Sequence, residues 1–252
     1  MGTSEDAAGP AAGGGVQSVV RAIDLLEMLA AAGEPVGVAE LARRSGLPTA
    51  TVHRLLATLA TAGCAHRDAG RYGLGARLVR LGAAAQAAVG PRVQPALDAL
   101  ASETGETANY AVLEGDHVVY LAQAESRRMV RMFTEVGNRV LPHATAVGKV
   151  LLADRTAEEV RALVARTGLP ALTPRTISDP AALQAVLADV ARRGHAVDDE
   201  EQEAGVRCVA VPVRPAGRTT GAISVSGPAG RVVPSDGMLA ALRRAADAVA
   251  AT

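Results

Sequence analysis

The stretch VGVAELARRSGLPTATVHRLLATL, residues 36–59, constrains the fold more than any other part of this chain. It reads as two short helices joined by a tight turn. Leu41 and Ala42 form the apolar seam of the first helix, and Leu47, Val52, Leu55, Leu56 and Leu59 carry that seam into the second. Gly46 stands where the chain reverses, because glycine adopts a positive φ at no steric cost. Pro48 suits the non-helical step before a helix. Thr49 or Thr51 is expected to cap that helix by accepting an orphan N–H of its first turn. The spacing of Ala42, Gly46, Val52 and Leu55 is that of a helix-turn-helix, whose second helix enters the DNA major groove. The competing reading is an αα-corner in a helical enzyme. The flanks decide between them.

Upstream, Val19, Val20, Ile23, Leu26 and Leu29 recur three or four apart, so residues 16–31 read as an amphipathic helix packed on the helix-turn-helix. Gly33 and Pro35 end it. Downstream, AGCAHRDAGRYGLG (residues 62–75) places the turn signal Asp68-Ala69-Gly70 between two short segments, 64–67 and 71–74. That is a β-hairpin, or wing. Residues 16–75 therefore read as a winged helix-turn-helix. Charge agrees modestly: residues 16–90 hold 8 Arg against 5 acids, an excess of three, while residues 91–252 hold 18 Lys+Arg against 19 acids.

Residues 76–90 read as a linker helix, with Pro91 marking the start of a second domain, 91–252. A helix is expected at 93–104, then strands at 108–113, 117–122 and 129–134, the first two paired through Gly115-Asp116. Helices follow at 144–154, 157–167 and 180–193, strands at 206–213 and 221–226, and a terminal helix at 235–250 opened by Ser235 or Asp236. The fold class is α+β with two domains. With aromatics at 2% and no Trp, the core must be built from Ala, Val and Leu, and a base-stacking platform for single strands is excluded. Cys64 and Cys208 lack metal spacing and read as reduced thiols. No apolar run approaches the ~20 residues of a membrane span. The first 15 residues, Gly/Ala-rich and acidic, read as a disordered tail and not a signal peptide, so a cytoplasmic protein is expected.

On the DNA reader, the outward face of the second helix offers Thr49, Thr51, His53, Arg54 and Thr58. Arginine grips guanine O6 and N7 bidentately and hydroxyls reach phosphates, which makes Arg54 the leading contact. Arg43 and Arg44 end the preceding helix, against the DNA backbone. Arg71 and Tyr72, on the wing, are expected to reach a flanking minor groove or phosphate. The plainer reading of any single arginine is a solvated charge.

In the second domain, ATAVGK begins a helix, so the backbone N–H groups of Thr145, Ala146 and Val147 present the positive end of a helix dipole to an anion. Lys149 is the only lysine. A phosphate-binding loop would need glycine where His143 stands and a hydroxyl where Val150 stands, so Lys149 reads as a structural or surface charge. No nucleophile elbow, zinc-protease helix, dinucleotide fingerprint or catalytic carboxylate pair is present. Cys208 with His143 or His195 is the remaining nucleophile–base candidate, and nothing in the sequence brings them together. The acidic run DDEEQE (198–203) has no His or Cys at metal-ligand spacing and reads as a solvated loop. Neither an enzyme nor a cofactor is expected.

QSVVRAIDLLEMLA, LARRSGLPTATVHRLLATL and RYGLGARLVRLG together resemble the DNA-binding half of IclR-family transcriptional regulators. LPHATAVGKVLLA, DDEEQEAGVRCVAVPV and GAISVSGP resemble that family's effector-binding half, so the resemblance runs from about Val16 to the end. It implies a winged-helix repressor, or an activator of the same architecture, with a GAF-like small-molecule domain. It also implies a homodimer or dimer of dimers on a pseudo-palindromic operator. Asp198, Cys208, Ser224 and Ser226 match positions that face a small effector in the family. Ser224 and Ser226 share a face by the period of two of a strand. Asp198 can accept a bond from a hydroxyl or a hydrated carbonyl. With the helix start opposite, the set suits a small carboxylate carrying an oxo or hydroxyl group, and Met129, Met132 and Phe133 would supply an apolar wall. A glyoxylate-like oxo acid is favoured as effector, and an aromatic acid is the alternative. An enzyme acting on a small carboxylate is the alternative of another class. The plain reading of Cys208 is a core thiol, with the serines satisfying strand ends.

Overall fold

The computed structural model describes residues 16–126 and 135–252, which form two compact units, one up to Ala85 and one from Gln86. The proposed tail, the strand expected at 129–134 and the wall residues Met129, Met132 and Phe133 lie outside the described residues.

In the first unit the order is α1 (Gln17–Ala32), β1 (Val36–Gly37), α2 (Val38–Ser45), α3 (Thr49–Thr61), β2 (Ala65–Asp68) and β3 (Arg71–Leu74). Leu41 and Ala42 of α2 meet Val52 and Leu56 of α3, and Leu25 and Leu29 of α1 close the core. Fully burying each large aliphatic side chain is worth about 1.5–3 kcal/mol. Gly46, at φ 67°, makes the left-handed step between α2 and α3. The wing is an antiparallel pair, β2 with β3, turned at Ala69 and Gly70, and β1 adds a third strand on β3.

Two local expectations change here. Val19, Val20 and Ile23 are about half exposed, and α1 packs through Leu25 and Leu29 instead. Periodicity finds an apolar stripe, yet α1 carries two adjacent ones, and its first turns run past the small core. Neither threonine caps α3: Pro48 occupies the cap position, and its carbonyl accepts from Thr51 N at 2.9 Å and Val52 N at 3.1 Å.

Pro91 is not a break. A single helix, α4 (Arg77–Thr104), runs through Pro91 and Pro95. Each proline removes one intrahelical bond. Both rings lie on the exposed side, where water can take up the carbonyls left over.

The second unit continues with β4 (Thr107–Glu114), β5 (His117–Ala124), β6 (Arg139–Val140), a 3-10 turn (Pro142–Ala144), α5 (Ala146–Ala153), α6 (Ala157–Thr167), α7 (Pro180–Arg193), β7 (Ala196–Asp199), β8 (Val206–Val213), β9 (Gly221–Pro228) and α8 (Asp236–Ala250). Gly115 and Asp116 join β4 to β5, and Ser235 caps α8 by accepting from Met238 N. Strands β6-β5-β4-β9-β8-β7 form one antiparallel sheet. One face is dry: Val209, Val211, Ile223 and Val225 pack on Val93, Leu97 and Leu100 of α4 and on Leu239, Leu242 and Val249 of α8. On the other, Ala111, Tyr120, Ala210 and Ala222 pack against Ala146, Val147, Val150 and Leu151 of α5. Helix α5 is pressed hard onto the turn before it. A Cβ on Gly148 would lie 2.2 Å from the Pro142 carbonyl oxygen, so no larger residue fits. That contact fixes where α5 starts, and hence where its free N–H groups point.

Candidate functional site

The outward face of α3 rests on helical phase. Val52 and Leu56 anchor α3 inward, which turns Thr49, His53, Arg54 and Thr58 outward and leaves Thr51 at the margin. Thr58 Oγ1 donates to Arg54 O at 3.0 Å, so that hydroxyl is partly spent on its own helix. Arg54 and Arg44 are exposed and make no hydrogen bond or ion pair among the described residues. Their guanidinium groups are open to phosphate or base edges. Arg43 forms a two-pronged bond with Glu40, at 2.7 and 3.1 Å, on the exposed surface. Such exposed pairs contribute little and exchange readily. Arg71 is exposed, with its Nε donating to Pro35 O at 2.7 Å.

Tyr72 does not lie on the outer surface of the wing. It is 2% exposed, paired with Val36 across β1 and packed in the core with Leu25 and Leu29. A wing strand has two faces, and period two sends Tyr72 inward once Arg71 faces out. Its ring instead carries Arg67, whose guanidinium carbon sits 5.8 Å from the ring centre. Arg67, exposed on β2, is a wing arginine that was not singled out from the sequence.

The second cluster is assembled by strand register. Asp198 on β7 pairs with Cys208 on β8, Cys208 with Ser226 on β9, and Ser226 with Thr107 on β4. One step along, Ala210 pairs with Ser224, Ser224 with Asn109, and Asn109 with Gln123 on β5. Paired residues share a face, so these polar groups line the α5 side of the sheet. Asp198, Cys208, Asn109, Ser224 and Ser226 are all buried. The family resemblance pointed to four of them. Asn109, Thr107 and Gln123 escaped it, although alternate polar residues on otherwise apolar strands are the signal that marks them.

Thr145 caps α5, accepting from Gly148 N at 3.1 Å, and helix geometry leaves Ala146 N–H and Val147 N–H without an intrahelical acceptor. Asp198 Oδ1 accepts from Glu201 N at 2.8 Å and Gln202 N at 3.3 Å, while Oδ2 takes no bond among the described residues. Burial pushes the Asp198 carboxyl up to about 6, against the pull of those two N–H groups and of Lys149. Lys149 is a structural charge: buried at 1% exposure, its Nζ lies 2.5 Å from Glu201 Oε1. Glu201 Oε2 and Gln202 Oε1 are buried with no partner among the described residues. The acidic run is therefore not simply solvated.

The raised Asp198 carboxyl has a consequence for stability. Between its unfolded value near 3.8 and about 6, the folded chain holds a proton that the unfolded chain has lost. Its contribution is therefore greatest at low pH and falls as pH rises through that window, by about 3 kcal/mol at 1.36 kcal/mol per unit. Asp198→Asn should remove this loss. In denaturant unfolding the variant gains on the native chain by about 2 kcal/mol more at pH 7.5 than at pH 4.5. An equal difference at both pH values would contradict the burial of this carboxylate.

Among the described residues no nucleophile–base pair is assembled around Cys208. Burial pushes the Cys208 thiol well above its ordinary range, which keeps it protonated, and Sγ lies 3.0 Å from Ser226 Oγ. Burial pushes the His143 imidazole down, and its Nε2 lies 3.1 Å from Pro170 O.

Family models match both units: the IclR helix-turn-helix domain over residues 18–69 and the bacterial transcriptional regulator IclR C-terminal domain over residues 82–251. The chain belongs to the IclR family. It is 38% identical to the HTH-type transcriptional regulator BhcR of Paracoccus denitrificans, over 91% of this chain and 83% of that protein. Among solved structures, an IclR-type regulator from Alicyclobacillus acidocaldarius superposes with a TM-score of 0.81 at 30% identity, covering 94% of this chain and 98% of that one. An IclR homologue from Microbacterium hydrocarbonoxydans, solved with 4-hydroxybenzoate, gives 0.78 at 26% identity over 93% and 98%. This chain is thus a ligand-responsive, DNA-binding transcriptional regulator and not an enzyme. None of its described helices is long and apolar enough to cross a membrane.

Proposed function

We propose that the chain is a cytoplasmic repressor, acting as a homodimer or dimer of dimers on a pseudo-palindromic operator, whose carboxyl-terminal unit binds a small carboxylate. The observation that carries the ligand class is the sheet row itself: buried serine hydroxyls at Ser224 and Ser226, a carboxylate at Asp198, and the start of α5 at Thr145, Ala146 and Val147 packed over the same face. Hydroxyls and helix N–H groups receive the ligand's carboxylate. The free Oδ2 of Asp198 accepts from a hydroxyl or hydrated carbonyl at its other end. A short oxo acid such as glyoxylate meets both requirements. A hydroxylated aromatic acid is the second reading, favoured by the 4-hydroxybenzoate held by the Microbacterium homologue and by the buried Tyr120 ring beside Cys208.

Thermal-shift screening of the full chain against glyoxylate, pyruvate and 4-hydroxybenzoate tests the ligand class. Saturation at about 100 times Kd is expected to add roughly 2.7 kcal/mol to stability. No stabilisation by any small carboxylate would overturn the ligand assignment.

On the DNA side, Arg54→Ala should weaken binding to a duplex selected from random sequence by about 10- to 100-fold, the worth of one bidentate base contact. Affinity for the acid should stay unchanged. A loss shared across all duplexes, with a salt slope reduced by about one, would mark Arg54 as a phosphate contact instead. Equal loss of DNA and acid binding would contradict the assignment.

A further inference from the structure

We propose that Asn109 and Gln123 are positioning residues that turn the serine pair into hydrogen-bond donors and thereby make the pocket select a carboxylate over its neutral amide. The inference rests on the effector site described above and deepens it.

Asn109 is fully buried in the middle of β4. Its Nδ2 donates to Ser226 Oγ at 3.2 Å and reaches toward Ser224 Oγ at 3.5 Å. Its amide orientation is set from the other side, because Gln123 Nε2 donates to Asn109 Oδ1 at 2.9 Å. Reversing the Asn109 amide would set N–H against N–H. Gln123 faces this way because of a one-residue slip in the β4–β5 register. Tyr110 pairs with Ala122 but Ala111 pairs with Tyr120, so Leu121 is the extra residue. Without that bulge, period two would send Gln123 and Tyr120 to opposite faces.

Ser226 Oγ therefore accepts two bonds, one from Asn109 Nδ2 and one from the Cys208 thiol at 3.0 Å. A hydroxyl has two acceptor sites and one proton. Both acceptor sites are filled, and only the O–H remains. Among the described residues only the Cys208 sulfur, a weak acceptor, competes for that proton. Ser224 is offered the second amide N–H of Asn109 and likewise keeps its proton to give. Whatever ligand atom meets this pair must accept. A carboxylate does so with both oxygens, whereas an amide brings an NH2 against a donor. A donor facing a donor leaves a buried polar group unpaired, the element that rejects the wrong ligand.

The test is calorimetric titration of the full-length protein with 4-hydroxybenzoate and 4-hydroxybenzamide, and with glyoxylate and its amide. The native chain is expected to favour the acid by about 30-fold or more. Gln123→Glu presents an acceptor to Asn109, turns its amide round and draws the serine protons onto Asn109 Oδ1. Asn109→Leu frees the serine hydroxyls to rotate and adds no charge. Both variants should lower the acid-to-amide ratio by about tenfold, the start of α5 keeping a residual preference for the acid, with thermal unfolding confirming that each is folded. A folded variant of either kind that keeps the native ratio overturns the proposal. Ser224→Ala with Ser226→Ala separates the two levels. If this double variant binds the acid as the native chain does, the site itself is wrong. If it loses the acid while Gln123→Glu and Asn109→Leu keep the native ratio, only the positioning role fails.

Discussion

Lys149→Met is expected to destabilise the carboxyl-terminal unit by about 3–5 kcal/mol, the largest effect of any single polar substitution considered. Lys149 sits on α5 at 1% exposure, with Glu201 at 7% as its partner at 2.5 Å. Removing the ammonium leaves a carboxylate buried beside Asp198, with Oε2 already lacking a partner. Asp199 N, at 3.4 Å, is too distant to compensate. The cost arises from breaking the pair, not from the worth of the pair itself. Lys149→Met combined with Glu201→Leu should therefore recover most of the loss, since well-packed apolar groups commonly replace a buried ion pair at little cost. Denaturant unfolding of the three proteins measures this. A single variant within 1 kcal/mol of the native chain, a threshold set by the ~3 kcal/mol lower bound, would mean that water reaches the pair.

Ser224→Ala with Ser226→Ala is expected to abolish the response to ligand. Each hydroxyl bonded to a carboxylate is worth about 1.5–3 kcal/mol, so together they account for at least ~100-fold in affinity. The unliganded protein should still bind DNA as before, because the reader is folded around its own core of Leu25, Leu41, Val52 and Leu56. Some stability is lost as well. Asn109 Nδ2 is left without acceptors at a fully buried site, a cost of about 1–3 kcal/mol, so the comparison belongs well below the unfolding transition. An unchanged acid affinity in the folded variant would remove the serines from the pocket.

The elements were readable where local chemistry and tertiary packing agree. The turn at Gly46, the hairpin at Gly115-Asp116 and strand β8 follow from glycine conformations and alternation that packing does not override. The misreadings share another cause. Which stripe of α1 is inward depends on how far the small core extends, and Pro91 reads as a stop only if its side of α4 is buried. Tyr72 looked like a wing contact because type and position suit one, while the parity of a four-residue strand is set by its pairing with β1. For the proposed pocket, the resemblance supplied Asp198, Cys208, Ser224 and Ser226. The residues behind them, Asn109 and Gln123, need the register of three strands and a bulge, which no single segment encodes. Lys149 was recognisable as unusual, being the sole lysine, but its partner lies 52 residues away in sequence.

A small acid bound in the carboxyl-terminal unit is expected to change how the amino-terminal unit holds DNA. Fluorescence anisotropy of a labelled operator duplex, titrated with full-length protein with and without the acid that stabilises it most, tests this directly. Coupling of 1–3 kcal/mol predicts a change of about 5- to 150-fold in operator affinity for the native chain, and none for the double serine variant. An acid that binds the protein tightly yet leaves operator affinity within twofold would show that the two sites are not coupled.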